Sequence, residues 1–261
     1  MSERPTALIT GASSGFGVEF TDLFAADGYD VVMAARSGDA MHTVASEVRA
    51  RHDVDVDVIA IDLSTRGASA DLVAQLLARN VIVDALVNNA GFSTYGEFWR
   101  DDPSTQSDML AVNVVALPEL SRLILPGMVE RGRGRILNLG SVASFSAAPM
   151  TAAYAATKAY VLSLSLAMAE ELRDSPVTVT CLCPGPTATG FQDRAAMNDS
   201  ALIRGRKLPG AREVAQAGYA AMNAGTPYLV TGATSKLFAL GSRLLPRTTT
   251  ARIAGRSQRR I

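Results

Sequence analysis

Cysteine and histidine are scarce in this chain, whose 261 residues include two of each. Cys181 and Cys183 lie two residues apart in an apolar run typical of a strand, where their side chains share one face. Two cysteines are too few for a disulfide framework, and we expect buried, reduced thiols. Neither His42 nor His52 has a Cys or His partner at ligand spacing, which argues against a metal site.

Long apolar runs are also missing. No segment approaches the ~20 consecutive apolar residues of a membrane span. The charged start at residues 1–5 leads directly into an apolar strand, a pattern that does not fit a signal peptide. The sequence therefore predicts a cytoplasmic protein.

Acidic residues are absent from the last part of the chain. The whole sequence balances 25 basic against 25 acidic residues, but Glu213 is the last acid, and seven basic residues follow it. Three interpretations of this basic tail stay open: solvated charges on a packed segment, part of an oligomer interface or pocket lid, or an amphipathic helix on an anionic membrane. Nucleic acid is not an expected partner, because no aromatic residues alternate with these arginines.

The composition, 48% hydrophobic and 19% charged, is typical of a single α/β domain. Short apolar runs alternate with helical patterns, which predicts a doubly wound, parallel seven-stranded sheet with helices on both faces. We assign residues 1–232 to the main domain and 233–261 to a basic helical extension of it, in which Pro246 should end one helix at Leu245 and a second helix should follow. The predicted strands are Thr6–Thr10, Asp30–Ala35, Val56–Ile61, Asp84–Asn88, Arg135–Leu139, Val177–Cys183 and Pro227–Thr231.

A glycine-rich turn follows the first predicted strand and leads into a helix. Glycines keep such a turn tight, and a helix N-terminus favours the negative charge of a pyrophosphate. The alternative is a purely structural turn. The candidate nucleotide-binding residues here are Gly11, Ser13, Ser14, Gly15, Phe16 and Gly17.

The same residues match the G-x-S-x-G elbow of serine hydrolases, with Ser13 as the nucleophile. Such a hydrolase requires a histidine late in the chain as the base. No histidine follows His52, so an esterase is a remote alternative.

Arg36 directly follows the second predicted strand, where dinucleotide folds usually carry an acid that binds the ribose 2′-hydroxyl. A guanidinium can pair with a 2′-phosphate instead, so we predict NADP(H) as the cofactor; an ordinary solvated charge is the alternative. At the ends of the third and fourth strands, we expect Asp62, Leu63, Asn89, Ala90 and Gly91 to contact the same cofactor.

Tyr154 and Lys158 are four residues apart on a predicted helix. An adjacent ammonium favours the phenolate and is expected to lower the tyrosine pKa, which produces an acid/base pair usable near neutral pH. A surface pair at helical spacing is the plain alternative.

Taken together, the glycine turn, Asn88-Asn89-Ala90-Gly91, Asn113, Ser141, Tyr154-x3-Lys158 and Pro184-Gly185 resemble the short-chain dehydrogenase/reductase family. The resemblance covers about residues 6–232. It implies a Rossmann-type domain, a nicotinamide cofactor and a catalytic tetrad of Asn113, Ser141, Tyr154 and Lys158. It also implies cofactor contacts from Tyr154, Lys158, Pro184, Gly185, Thr187 and Thr189.

Each member of this tetrad has a chemical role that fits its type. Ser141 can hydrogen-bond a carbonyl oxygen, and Tyr154 can give it a proton as hydride arrives. Asn113 is a poor helix former inside a helical run, where its amide or a local kink could hold a water that passes protons to Lys158. A satisfied buried amide and a simple strand-end hydroxyl are the alternatives for Asn113 and Ser141.

The predicted substrate pocket is mostly apolar, which favours a hydrophobic ketone or secondary alcohol. We predict an NADP(H)-dependent oxidoreductase that forms a homodimer or homotetramer, with peripheral membrane contact through the basic tail as a further expectation. A non-catalytic NADP(H) sensor or scaffold is the alternative. The candidate pocket residues are Ser93, Tyr95, Phe98, Ala143, Phe145, Met150 and Phe191.

Overall fold

A parallel seven-stranded sheet forms the centre of the computed structural model, which describes residues 4–205 and 207–260. The strand order is β3-β2-β1-β4-β5-β6-β7. Every predicted strand is confirmed, and each boundary lies within one residue of its expected position. The strands are β1 Thr6–Thr10, β2 Asp30–Ala35, β3 Val56–Ala60, β4 Val83–Asn88, β5 Arg135–Leu139, β6 Thr178–Cys183 and β7 Tyr228–Val230.

Helices connect the strands as right-handed crossovers require. They are α1 Phe16–Ala26, α2 Gly38–Arg51, α3 Ala68–Ala78, α4 Pro103–Leu110, α5 Leu117–Glu130, α6 Ala152–Glu171, the short α7 Phe191–Arg194, α8 Ala211–Asn223, α9 Ala233–Leu244 and α10 Arg247–Ser257.

Both faces of the sheet are covered by helices. On one face, Phe20 and Phe24 of α1 pack with Met33 and with residues of α2 and α8. On the other, Leu72 of α3 and Leu120 of α5 pack in the same cluster as strand residues. The fold is therefore the predicted doubly wound, Rossmann-type α/β architecture. In such folds the ligand crevice lies at the carboxyl ends of the strands, where the strand order reverses; here that point lies between β1 and β4.

Helices α4 and α5 are joined by a π-helical segment, Ala111–Ala116, into one continuous helix. By length and composition this helix, Pro103–Glu130, could cross a membrane, which corrects our expectation that no segment approaches such a span. Its position in the fold is that of a core helix, because Leu120, Ile124 and Met128 are buried in the cluster that covers one face of the sheet.

The basic extension forms the two predicted helices. Pro246 lies between α9 and α10, and α9 ends at Leu244, one residue before the expected end. Proline has no backbone N–H and restricts the residue before it, which is why the helix cannot continue through this point.

Candidate active site

A chamber of about 1000 Å³ opens at the carboxyl ends of the strands. It runs from the turn after β1 to the turn after β6 and on to α10. Most of the predicted site residues meet here, although they come from segments far apart in the chain. Those that line the chamber are Gly11, Ser13, Ser14, Gly15, Phe16, Arg36, Asp62, Leu63, Asn89, Ala90, Gly91, Ser93, Ser141, Ala143, Tyr154, Lys158, Pro184, Gly185, Thr187, Thr189 and Phe191.

Two glycines explain the shape of the turn after β1. Gly11 has φ 64°, and a Cβ there would lie 2.9 Å from the Ala90 Cα. Gly17 does not line the chamber; a Cβ on it would overlap the carbonyl oxygen of Gly11. Gly17 therefore serves close packing of α1 against the turn, and the predicted direct contact with a cofactor is not supported.

Thr10 and Asn89 hold the ends of β1 and β4 together. The Thr10 hydroxyl accepts hydrogen bonds from the backbone N–H groups of Asn89 and Ala90, both at 3.0 Å. The Asn89 amide donates to the carbonyl oxygens of Thr10 and Gly11 at 2.8 and 3.1 Å. These bonds fix the floor of the crevice between the two strands.

Arg36 is exposed where the chamber passes the end of β2. Among the described residues, no carboxylate lies within ion-pair distance of it. The nearby Asp62 carboxylate accepts bonds from the N–H and hydroxyl of Ser64, at 3.0 and 2.9 Å. This end of the chamber thus offers an unpaired guanidinium suited to a phosphate.

Tyr154 and Lys158 both lie on α6 and line the chamber. The Lys158 Nζ is 5.7 Å from the centroid of the Tyr154 ring and donates a 2.6 Å hydrogen bond to the carbonyl oxygen of Leu139. The ammonium is therefore held beside the face of the ring, and Leu139 at the end of β5 is its bonded partner.

The protonation of this pair differs from our expectation. Burial raises the pKa of Tyr154 to about 12, while a hydrogen bond with Ser141 acts in the opposite direction. Burial also lowers the pKa of Lys158 to about 8. The predicted lowering of the tyrosine pKa was wrong for the chain by itself, because desolvation of the phenolate outweighs the hydrogen bond with Ser141. Near neutral pH, Tyr154 is a protonated phenol.

Ser141 follows β5 and begins a short 3₁₀ turn, Val142–Phe145. Its hydroxyl oxygen accepts a 3.1 Å bond from the N–H of Ala143 and keeps its proton for another acceptor. The sequence analysis did not identify Ser144. Its hydroxyl accepts a hydrogen bond from the Ser141 N–H and donates one to the carbonyl oxygen of Lys158 at 2.8 Å. Ser144 thereby ties the serine turn to α6.

Asn113 lies in the π-helical segment, so the local helix irregularity that we predicted is present. It is 1% exposed and does not line the chamber. Its Oδ1 accepts from Phe92 N at 3.2 Å, and its Nδ2 donates to Phe92 O and the Thr157 hydroxyl at 2.9 and 3.2 Å. The side-chain amide therefore connects two elements of the site, and the water at this turn stays a prediction.

The turn after β6 closes the other end of the chamber. The Thr187 hydroxyl donates to Gly185 O at 2.9 Å, and the Gln192 amide donates to Thr187 O at 2.8 Å. A Cβ on Gly15 would lie 3.0 Å from the Thr189 Cβ. The turn after β1 and the turn after β6 therefore approach each other closely at Gly15.

Of the seven residues predicted to form the substrate pocket, three line the chamber and four do not. Ser93, Ala143 and Phe191 line the chamber, and the Phe191 ring centroid is 5.5 Å from that of Tyr154. The other four do not line it, because tertiary packing takes each of them elsewhere. Tyr95 bonds the carbonyl oxygen of Gln258, Met150 packs against the apolar cluster that contains Tyr95, Phe145 packs on Tyr228, and Phe98 is 61% exposed on a separate turn.

The end of the chamber beyond Tyr154 is completed by the stretch between β6 and α8 and by the basic extension. Polar and charged residues interrupt the helical and strand patterns over residues 190–210, which indicates a loop over a site. A pocket lid was one of the three interpretations of the basic tail. The added residues include Gln192, Met197, Leu202, Ile203, Phe238, Ile253, Ala254 and Gln258.

The hydrolase alternative has no support in the described residues. Neither histidine lines the chamber beside Ser13, and His52 is hydrogen-bonded to Asp22 at 2.9 Å. Within residues 4–205 and 207–260, no three His, Cys, Asp or Glu side chains are grouped as metal ligands.

Several known proteins have sequences similar to this chain. A model of the short chain dehydrogenase family matches residues 5–199. A very-long-chain 3-oxoacyl-CoA reductase from Bos taurus is 34% identical over 187 residues, which are 70% of this chain and 59% of that protein. The corresponding reductase from Laccaria bicolor is 37% identical over 66% of this chain and 52% of its own length. The chain thus spans less than two-thirds of the length of these curated relatives.

Solved structures of similar fold include a short-chain dehydrogenase from Sphingobium yanoikuyae in complex with NADPH. It has a TM-score of 0.80 and 30% identity, with 92% of this chain and 94% of that chain covered. A bulky-bulky ketone specific alcohol dehydrogenase from Comamonas testosteroni has a TM-score of 0.78 and 28% identity, with 93% of each chain covered. The family match, the two sequence relatives and the shared fold agree: the chain belongs to the short-chain dehydrogenase family of oxidoreductases.

Proposed function

We propose that this protein is an NADP(H)-dependent oxidoreductase that interconverts a hydrophobic ketone and its secondary alcohol, with Tyr154 as the general acid/base. The observation that carries the proposal is the convergence of Ser141, Tyr154 and Lys158 on one chamber that Arg36 also lines. A solved neighbour with NADPH bound supports the choice of cofactor.

The chamber fits a dinucleotide by its shape and its charge. Gly11 and Gly15 leave space that any side chain would fill. The unpaired guanidinium of Arg36 would hold the 2′-phosphate, and the Asp62 and Asn89–Gly91 segments would flank the adenosine half. When bound, the nicotinamide supplies or accepts the hydride.

The residues of the chain supply the proton and the polarisation. The Ser141 hydroxyl would hydrogen-bond the substrate oxygen, where negative charge develops as the carbonyl is reduced. Tyr154 would donate its phenolic proton to the same oxygen, and its raised pKa keeps that proton in place near neutral pH. Lys158, beside the ring, would stabilise the phenolate left after transfer. Asn113 would hold the π-helical turn and the Phe92 loop in register with α6.

The chamber wall beyond Tyr154 favours a large apolar substrate. Phe191, Met197 and Ile203 belong to one apolar cluster that borders this space. Two relatives are named 3-oxoacyl-CoA reductases, and one solved neighbour is described as specific for bulky ketones. A 3-oxoacyl thioester and a bulky ketone share an apolar body beside a ketone, so both belong in a substrate panel.

The decisive experiment compares wild type with Tyr154→Phe. Oxidation of NADPH is followed with a panel of bulky ketones and 3-oxoacyl thioesters, and NADPH affinity is measured separately. We expect turnover to fall by at least about a thousandfold in Tyr154→Phe with NADPH affinity unchanged, because only the proton donor is lost.

The matched control is Tyr160→Phe, which removes the hydroxyl of an exposed tyrosine further along the same helix and should leave turnover unchanged. If both wild type and Tyr154→Phe bind NADPH but neither oxidises it with any substrate, the result favours a non-catalytic sensor or scaffold over an enzyme. Turnover only with small charged carbonyl compounds would contradict a hydrophobic substrate.

We also propose a homodimer or homotetramer in the cytoplasm. The support is a group of apolar side chains on the continuous helix and α6 that remain exposed in the single chain. Light scattering on the purified protein tests the assembly. These side chains are Leu110, Val115, Leu123, Tyr160 and Leu166.

A further inference from the structure

Helix α9 carries a row of leucines that nothing in the described chain covers. Leu237, Leu240 and Leu244 are 72%, 58% and 80% exposed, and we call these three residues the leucine face. Their spacing of three and four residues places them on one side of the helix. The opposite side packs inward through Ala239, which is 6% exposed. A contiguous apolar row of this kind marks an interaction surface.

Cations border the leucine face. Lys236 and Arg243 lie on the same helix, about a quarter turn from the leucines, and Arg247 begins the next helix. Lys236 and Arg247 have no carboxylate within ion-pair distance among the described residues, and Arg243 contacts the Tyr228 hydroxyl at 3.1 Å. No acidic residue follows Glu213 in the sequence. The surface is therefore apolar at its centre and positively charged at its edge.

The leucine face adjoins the mouth of the chamber. Lys236 and Phe238, on either side of Leu237 in the sequence, both line the chamber, as does Ile253 of α10. Ile253 is itself 44% exposed. The leucine face is therefore adjacent to residues that line the chamber.

We propose that α9 docks on an anionic lipid surface, with the leucine face in the acyl boundary and Lys236, Arg243 and Arg247 among the headgroups. An apolar face bordered by basic residues has the composition of helices that bind membranes in this way. A second copy of the chain fits less well, because a two-fold interface centred on α9 would bring these cations against their own counterparts.

Vesicle cosedimentation of the full chain tests this surface. The probes are vesicles of phosphatidylcholine alone and vesicles with about a third phosphatidylserine, which corresponds to the anionic leaflet that basic residues recognise. We expect binding to the anionic vesicles that weakens with added salt, and little binding to the neutral ones. The readout is binding, so its outcome is separate from the success or failure of the proposed reaction.

Two variants address the two parts of the surface. We expect Leu240→Ser/Leu244→Ser to weaken vesicle binding at least about tenfold through lost apolar contact, and Arg247→Glu to weaken it about tenfold through reversed charge. All three positions are exposed, so folding should be unaffected, and an unchanged thermal unfolding midpoint checks this.

The matched control is Leu77→Ser, which removes a leucine that is 68% exposed on α3, far from the chamber mouth in the chain, and should bind vesicles like wild type. The proposal is wrong if wild type does not bind anionic vesicles, or if both variants bind them as wild type does. It is also wrong if wild type is an oligomer that Leu240→Ser/Leu244→Ser converts to monomers while vesicle binding is absent, since the face would then join subunits.

Discussion

Lys158 shows how a single buried charge couples the candidate site to stability. Burial lowers the pKa of its ammonium from 10.5 to about 8, so between these values the unfolded chain binds more protons than the folded one. The penalty for burying the charge is fully present below about pH 8 and is relieved as the pH rises toward 10.5.

The Lys158→Met variant keeps most of the length of the side chain and removes its titration. Relative to this variant, the free energy of unfolding of cofactor-free wild type should increase by about 2 kcal/mol between pH 7 and pH 10. Urea unfolding at a series of pH values measures the difference. A difference that does not change with pH would show that the ammonium is not desolvated in the folded chain.

Arg36 is the residue on which the choice between the two nicotinamide dinucleotides depends. Replacing it by alanine removes a charge-assisted contact to a 2′-phosphate, so NADPH affinity should fall about tenfold or more while NADH affinity stays within about twofold. Fluorescence titration of both cofactors measures this. Arg122→Ala, which removes an exposed cation on α5 outside the chamber, is the control. Equal loss for NADPH and NADH would refute the assignment of Arg36 to the phosphate.

At the scale of elements, Gly140, which directly follows β5, packs closely against two cysteines of β6. A Cβ on Gly140 would lie 2.8 Å from the Cys181 sulfur and 2.9 Å from the Cys183 sulfur, and the two sulfurs are 3.7 Å apart. Glycine at this position allows β5 to run beside β6 and deliver Ser141 to the chamber. The expectation of buried thiols is confirmed, and both are free.

This close packing predicts that changes at Gly140 and at the two cysteines have non-additive effects on the free energy of unfolding. Gly140→Ala should lower the free energy of unfolding by about 1–3 kcal/mol through overpacking. In a Cys181→Ala/Cys183→Ala background, the same change should cost at least about 1 kcal/mol less, because the space is then available. Gly241→Ala, in a helix where an added Cβ meets nothing within 4 Å, should not destabilise the protein. Additive losses in urea unfolding would mean that the sulfurs do not limit position 140.

At the scale of the whole molecule, the chain end closes the substrate side of the chamber. The N–H of Ala201 donates to Arg259 O at 2.8 Å, and Arg260 lies 3.6 Å from the Asp199 carboxylate and over the Tyr95 ring. The Tyr95 hydroxyl donates to Gln258 O. Three segments distant in sequence are thus joined beside the cavity.

Removing the hydrogen bond between Tyr95 and Gln258 should loosen the contact among these three segments without unfolding the domain. We expect Tyr95→Phe to speed amide hydrogen exchange in residues 199–203 and 258–260 by about fivefold, as expected for one lost buried hydrogen bond. Exchange in the strands should stay at the wild-type rate. If residues 199–203 exchange as in wild type, the tyrosine does not hold the chain end in place.

The sequence by itself determined the strands, the order of elements and the residues at the carboxyl ends of β1, β2, β4 and β5. These follow from local rules, because apolar periodicity and turn residues act over a few neighbours. It also placed Ser141, Tyr154 and Lys158 in one chamber through a motif with fixed spacing on fixed elements.

Only the tertiary structure decided the protonation of the site and the substrate wall. The direction of the Tyr154 pKa shift depends on desolvation of the phenolate in the packed chain, which outweighs the hydrogen bond with Ser141. The wall depends on Phe238, Ile253 and Gln258, which reach the chamber through a chain end whose position no local pattern encodes. Burial and long-range contact are properties of the packed molecule, and for that reason they could not be read from neighbouring residues.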